Sequence, residues 1–438
     1  MSNTPKLEDI VSLAKRRGFI FPGSEIYGGL AGTFDYGPLG VALKENIKKL
    51  WWKMFVTDRE DMYGIDAAIL MNPKAWEASG HVSGFNDPMV ECKNCKGRFR
   101  ADHIEDMNTC PSCDKKGTLG EARTFNMMFK TKAGATDDEG ATVYLRPETA
   151  GGMFVNFKNV IDSFHPKLPF GMAQIGKAFR NEIAPRDFVF RVREFEQMEV
   201  EYFVRPSNWE SAFEEWHGIM HAFAKAVGIR KENLHDTEIA DGDRAHYSSR
   251  TIDFEFDYPF GRKELWGLAY RTDFDLKAHS ETSKTDLSYF DEETKERLVP
   301  HVIEPSLGVD RTILAVLTSA YTVDDMGGEE RSYLKLPKEI APIRVAVFPL
   351  LKNKPELVAK AREVFMSLKS AGLSVVFDDN GNIGKRYRRQ DEIGTPHCVT
   401  IDFDTLGETP ELKDTVTVRD RDTGEQKRIA LSELHTVL

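Results

Sequence analysis

Arginines, carboxylates and an aromatic ring alternate along two stretches that read as paired strands. Phe179-Arg180-Asn181-Glu182 ends the first, and Phe190-Arg191-Val192-Arg193-Glu194-Phe195-Glu196-Gln197-Met198-Glu199 leads into the second. Successive side chains of an extended chain point to opposite faces. Met198, Val200, Tyr202 and Val204 therefore make an apolar, core-directed face, while Phe195, Gln197, Glu199 and Glu201 share the other. A carboxylate row beside Arg180 and a ring, set on a rigid hairpin, suits a cationic amine held next to a polyanionic nucleotide, because the guanidinium fork matches phosphate or carboxylate. The alternative is a surface ladder of cross-strand ion pairs.

A second constellation is metal-like. Cys92-x-x-Cys95 and Cys110-x-x-Cys113 carry four of the five cysteines, each pair spaced to span one edge of a zinc tetrahedron. A degenerate metal-free knuckle and disulfides are the alternatives. Disulfides suit an oxidising compartment, and the polar Met1 to Arg17 segment, with no run of about 18 apolar residues anywhere, points to a cytoplasmic protein. With 41% hydrophobic and 29% charged residues over 438 positions, a soluble chain of two or three domains is expected. The net charge of -11 argues against non-specific coating of nucleic acid. It leaves room for a local basic patch, for which Lys385, Arg386, Arg388 and Arg389 are the candidates; a solvated helix face is the other reading.

The elements that must position these residues follow from periodicity. Leu7 to Arg17 and Leu39 to Val56 read as amphipathic helices, the second following the glycine-rich Gly28 to Pro38. About 83–140 reads as an insertion bearing the cysteines, with regular structure resuming at Ala141. Phe170 to Val204 reads as a long hairpin around the loop Asn181 to Phe190. A helix over Trp209 to Val227 and strands at Thr251 to Tyr258 and Leu265 to Ala269 follow, with about 205–260 taken as a second insertion. Val302 to Tyr321 reads as strand, turn at Gly308 and helix. Beyond a linker at Lys335 to Pro342, alternating strands and helices predict a small α/β domain.

The hairpin resembles motif 2 of class II aminoacyl-tRNA synthetases, in wording close to the glycyl-tRNA synthetases. Glu304-Pro305-Ser306-Leu307-Gly308-Val309-Asp310-Arg311 resembles motif 3, Gly29 to Pro38 with the following helix resembles motif 1, and Arg146-Pro147-Glu148-Thr149-Ala150 resembles the amino-acid-binding signature. Gly151 stands where the family commonly has Gln, and Lys263 where glycine is expected before Glu264-Leu265. Lesser matches are Arg100-Ala101-Asp102-His103 and His279-Ser280. The likeness runs through nearly the whole chain. It is stronger than for the related proline, threonine, histidine or serine enzymes, and the retained Arg180, Glu182 and Arg311 speak against an accessory protein that has lost catalysis.

The resemblance implies an α+β fold: a class II antiparallel sheet flanked by helices over 1–336, with insertions, and a C-terminal α/β anticodon-binding domain over 342–438. It implies that glycine is activated with ATP and transferred to the 3′ end of tRNA(Gly), with Mg²⁺ on the phosphates, structural Zn²⁺ on Cys92, Cys95, Cys110 and Cys113, and a homodimer through Gly29 to Val56. The implied catalytic residues are Arg180 on the α-phosphate, Glu182 on the adenine amino group and Arg311 on the γ-phosphate. Nucleotide contacts would also come from Asn181, Phe190, Arg191, Val192, Arg193, Glu194, Phe195, Glu264, Leu265, Gly308, Val309 and Asp310. Those to glycine would come from Arg100, Glu148, Phe195, Glu196, Gln197, Met198, Glu199, Glu304, Pro305, Ser306, Leu307 and Gly308.

Overall fold

The computed structural model describes residues 5–134 and 142–438, so the end of the expected insertion, and Ala141 where regular structure is expected to resume, lie outside the described residues. At its centre is a seven-stranded sheet in the order 234–238, 250–258, 261–272, 301–308, 194–204, 170–179, 62–64. Its neighbours are antiparallel except for Met62–Gly64. The long hairpin is Phe170–Phe179 and Glu194–Val204, and His301–Gly308 pairs with its second strand so that Gln197 lies opposite Gly308 and Glu199 opposite Ser306.

One face of this sheet is covered by the helices Pro38–Trp52, Trp209–Ala226 and Val309–Ala320. Met198 and Val200 pack there with Leu43, Ile47, Trp51, Trp216, Phe223 and Leu314. The apolar stripe of the Pro38–Trp52 helix is thus occupied by its own core, the plainer outcome for such a stripe. Lys44 and Lys48 of this helix reach Glu196 at 2.6 and 2.9 Å. Gly40 sits so close beneath Phe19 that a Cβ would lie 1.8 Å from the Phe19 carbonyl oxygen. On the opposite face Ala150–Phe164 and Phe274–Ser283 bury Phe154, Phe157 and Leu276 against Phe170 and Phe203.

The N-terminal helix Leu7–Arg17 forms where its periodicity places it, closed by Gly18 at φ 74°, a left-handed conformation that glycine adopts freely. The segment 205–260, read from the sequence as a second insertion, is built into the main sheet and its core. Its helix is buried through Phe213, Trp216, Met220 and Phe223, and its strands Leu234–Glu238 and Arg250–Tyr258 extend the main sheet. Around the cysteines a small three-stranded sheet, Arg98–Arg100, Asn86–Glu91 and Arg123–Asn126, forms a separate layer. No described helix is long and apolar enough to cross a membrane.

In the C-terminal unit the strand order is 375–377, 345–349, 397–401, 415–420, 426–430, parallel among the first three and antiparallel after. The last two strands were not read from the sequence. The basic cluster is also corrected. Arg386 is buried and donates to the carbonyls of Pro349, Asp379 and Gly381, Arg389 is held by Asp378, and Arg388 meets Glu329. Arg386 and Arg389 thus organise the Ile383–Ile393 helix and its loops, while Lys385 is exposed and Arg388 is partly so.

The two units are joined across a buried ion triad. Asp391 accepts from Arg331 at 3.0 Å and from Arg419 at 2.8 Å, and Arg331 also pairs with Asp324. Removing the shared carboxylate would leave two buried guanidiniums short of a partner. Asp391→Ala should therefore cost about 3–5 kcal/mol, read by urea denaturation; a loss below about 1 kcal/mol would show that the triad does not hold the units together.

Candidate active site

The carboxylate face of the hairpin opens into a cleft of about 470 Å³ lined by Glu148, Arg180, Glu182, Phe195, Gln197, Glu199, Glu304, Ser306 and Arg311, among others. Pairing across three strands makes this convergence. Glu199 lies opposite Ser306, Ser306 opposite Gly267, and Glu304 opposite Ala269. At Gly267 a Cβ would meet nothing within 4 Å, so the missing side chain leaves the floor open.

Glu199 is 2% exposed and accepts from Ser306 Oγ at 2.6 Å and from the Thr149 hydroxyl. The Thr149 backbone N–H in turn donates to Gln197 Oε1 at 3.2 Å. Glu304 accepts from Arg271 at 2.7 Å, and the same guanidinium grips Asp275 through two 2.8 Å bonds while stacking 3.7 Å from the Tyr247 ring. Burial, together with Glu199 and Glu148, pushes Glu304 up to about 8 despite Arg271. Glu199 is raised by burial and by Glu148. Glu148 shows the opposite outcome: burial would raise it, but His81 at 3.3 Å, Arg271 and Arg180 outweigh that and hold it at about 2. The floor is therefore negative, undersupplied with cations, and shaped for a small ammonium group.

The outer wall suits a nucleotide. Arg180 donates to the Pro147 carbonyl at 3.0 Å and its guanidinium stands 5.3 Å from both the Phe85 and Phe195 rings, which fixes it without an ion pair to a carboxylate and leaves its charge for an incoming anion. Glu182 Oε2 is buried and lacks a hydrogen-bond partner, with Arg191 3.9 Å away. Arg311 rests on the Phe190 ring at 4.4 Å and pairs with Glu264 at 3.2 Å. Asp253, across the cleft, is pushed up to about 7 by burial and by Glu264 and Glu255. That uncompensated negative potential fits a cation.

Several expected contacts do not reach the cleft through their side chains. Glu196 is taken by Lys44 and Lys48, and Met198, Leu307 and Val309 belong to the apolar core. Pro305 is buried outside the lining. The two-residue strand period sends Glu196, Met198, Pro305 and Leu307 away from their neighbours Gln197, Glu199, Glu304 and Ser306, and Val309 opens the following helix. Glu194 pairs outward with Lys177, Arg193 binds the Ala31 and Glu182 carbonyls, and the Asn181 N–H binds the Met127 carbonyl. Asp310 borders the cleft, but its oxygens accept from the Tyr36 hydroxyl and the Glu196 N–H. Arg100 is held by Asp87 at 2.9 Å and Asp102 at 2.6 Å, off the lining. His279 is buried against Phe154 with Nε2 unpartnered, also off the lining. Phe190, Arg191, Val192, Glu264, Leu265 and Gly308 line it as expected. Arg271, Tyr247, His81 and Asp253 were not singled out from the sequence; for Asp253 the alternation Thr251, Asp253, Glu255 on a strand was an available signal.

The cysteines converge. Cys92 and Cys113 lie 3.9 Å apart through sulfur, Cys95 and Cys110 3.7 Å, and all four within 4.8 Å. Zinc with sulfurs at about 2.3 Å needs S···S edges of about 3.8 Å, so this donor set fits the ion. The Thr118 hydroxyl and backbone N–H groups hold the Cys92 thiol down to about 6, and backbone N–H groups lower Cys113, while burial pushes Cys110 up to about 11.

Comparison with known proteins places the chain among relatives. Residues 129–320 match the family model for the tRNA synthetase class II core domain (G, H, P, S and T), and residues 344–438 match the anticodon binding domain. A glycine–tRNA ligase of Clostridium acetobutylicum is 49% identical, covering 100% of this chain and 99% of the relative. One from Clostridium tetani is 50% identical over 98% and 96%, and one from Bacillus thuringiensis subsp. konkukian 49% over 98% and 97%. Among solved structures, prolyl-tRNA synthetase of Giardia lamblia in complex with prolyl-adenylate superposes with a TM-score of 0.68 at 16% identity, covering 98% of this chain and 76% of that one; it shares the fold.

The Glu304 shift has a stability consequence. Its folded pKa of about 8 stands above the ordinary 4.5, so folding favours the protonated form, and that contribution is lost as pH rises through about 8. Glu304→Gln keeps the shape without the charge. It should be more stable than the parent above pH 8, with the difference shrinking toward pH 5, as measured by urea denaturation. A difference that does not vary with pH would mean Glu304 is ionised throughout.

Proposed function

The chain belongs to the glycine–tRNA ligase family, and from that premise we propose how its cleft joins glycine to tRNA(Gly) at the expense of ATP. The first step is in-line attack of the glycine carboxylate oxygen on the α-phosphorus, breaking the bond to pyrophosphate. In the second, the terminal ribose hydroxyl of the tRNA attacks the acyl carbon of glycyl-adenylate and AMP leaves. Catalysis is mainly positioning and electrostatic stabilisation.

Glu148, Glu199 and Glu304 hold the glycine ammonium, and its charge supplies the cation that the negative floor lacks. Ser306, hydrogen-bonded to Glu199, stands beside the α-carbon and closes the space a side chain would need. Arg180, held free of carboxylates between two rings, takes the carboxylate and α-phosphate. Phe195 stacks on adenine and Glu182 accepts from its amino group. Arg311 exchanges Glu264 for the γ-phosphate. Mg²⁺ would be held at Asp253 and Glu264 and would neutralise phosphate charge; Glu304, already gripped by Arg271, is the poorer ligand. The observation that carries the reading is the buried trio Glu148, Glu199 and Glu304 beneath Arg180.

Zn²⁺ on the four cysteines gives the small sheet around Arg100 its second anchor. The segment from 342 serves anticodon recognition, and residues 1–336 activate glycine. A homodimer in the cytoplasm completes the proposal. The support for a dimer is the exposed apolar loop Ile26, Tyr27 and Leu30, 88%, 86% and 60% exposed, beside the Pro38–Trp52 helix. Sedimentation at micromolar concentration should give about twice 49.7 kDa; a fully active monomer rejects that part.

ATP–pyrophosphate exchange across the twenty amino acids tests the rest. Glycine alone should drive it, because one added methyl in a packed site costs roughly 1–3 kcal/mol, about 10- to 200-fold. Ser306→Ala should admit alanine better, and a chain ending before 342 should retain exchange while losing aminoacylation. Exchange driven equally by another amino acid would overturn the assignment of the floor to glycine.

A further inference from the structure

Outside the cleft and the cysteine knuckle, two imidazoles and a carboxylate converge on one point. His217 and His221 lie four residues apart on the Trp209–Ala226 helix, one turn above each other on the same face. Asp236 lies at the middle of Leu234–Glu238, the strand at one edge of the main sheet. The Nε2 atoms of both histidines approach the same oxygen, Asp236 Oδ2, each at 2.9 Å. All three donor atoms lie within 4.8 Å of one another. Both rings pack on Phe254, at 5.4 and 5.1 Å, the residue opposite Asp236 in the neighbouring strand. An apolar wall thus backs the imidazoles and fixes the direction in which their nitrogens point. None of the three side chains lines the active-site cleft.

We propose that His217, His221 and Asp236 form a second metal site, for a borderline divalent cation of the Zn²⁺ type, which clips the Trp209–Ala226 helix to the edge strand. Two neutral imidazole nitrogens and one carboxylate oxygen are a donor set that takes Zn²⁺ in preference to Mg²⁺ or Ca²⁺, which favour all-oxygen surroundings. A helical histidine pair at this spacing presents two nitrogens to one ion without rearranging the backbone. The donors need to spread only from 2.9 Å to about 3.3 Å to accommodate ligand bonds of roughly 2.0–2.1 Å. The histidines and Asp236 are partly exposed, so the fourth position faces solvent and water fills it. The clip has something to hold: Leu234–Glu238 pairs with a strand on one side only, Arg250–Tyr258.

Equilibrium dialysis of the full chain against micromolar Zn²⁺, followed by metal analysis, reads the site directly. The four cysteines stay intact and account for one tightly held equivalent. The wild-type chain should take up one further equivalent and show a Zn²⁺-dependent rise in Tm. A His217→Gln/His221→Gln variant should lose the further equivalent while keeping the first. Asp236→Asn should weaken it at least about tenfold. The single His221→Gln change, at the more exposed of the two histidines, guards against misfolding and should behave like the double variant. Equal uptake by the wild type and the histidine variants, or no uptake beyond the cysteine-held equivalent, would overturn the proposal.

Discussion

One guanidinium holds together a floor that would otherwise repel itself. Glu148, Glu199, Glu201, Glu304 and Asp275 are all buried beneath the cleft, and Arg271 is the cation that binds two of them directly. Burial and mutual repulsion are resolved differently at each site. Glu148 stays ionised because His81 and Arg180 face it as well. Glu304 is driven toward the protonated form, and Glu201, whose two oxygens have no hydrogen-bond partner, is pushed well above its ordinary range by burial and by Glu304. A site arranged this way has more buried carboxylates than cations facing them. That imbalance is what the proposed ammonium recognition rests on.

The rest of the catalytic unit keeps that floor in register. The Pro38–Trp52 helix anchors the back of the hairpin through Lys44, Lys48 and Glu196, while Asp310 ties the start of the Val309–Ala320 helix to Tyr36 and to the hairpin backbone. Residues expected to touch substrates, such as Glu196 and Asp310, thereby fasten the elements that line the cleft. Arg180 and Arg311 are held in the cleft wall by rings and, for Arg311, by Glu264, the preorganisation on which the proposed electrostatic role rests.

The C-terminal unit shows the same economy of charge. Its most basic helix spends Arg386 and Arg389 on its own loops, and Asp391 is shared between Arg331 of the preceding hairpin and Arg419 of the sheet. Basic composition there describes how the unit is built.

The sequence determined the local pieces. Periodicity placed the Leu7–Arg17 helix, the long hairpin, the strand–turn–helix around Gly308 and the C-terminal alternation, and cysteine spacing marked the knuckle, because each signal lies within a short stretch of chain. Strand period also sorted Glu199 from Met198 along one strand. What tertiary structure decided was everything set by pairing between distant segments. Ser306 and Gly267 meet Glu199 only through sheet register, and Arg271 is buried among Glu304, Asp275 and Tyr247. The segment 205–260, polar and irregular in sequence, joins the main sheet because its alternate residues Ile252, Phe254 and Phe256 find the core face. A residue's type and period say which way it points, but whether a carboxylate meets substrate, an arginine or a lysine depends on which strand or helix is laid beside it.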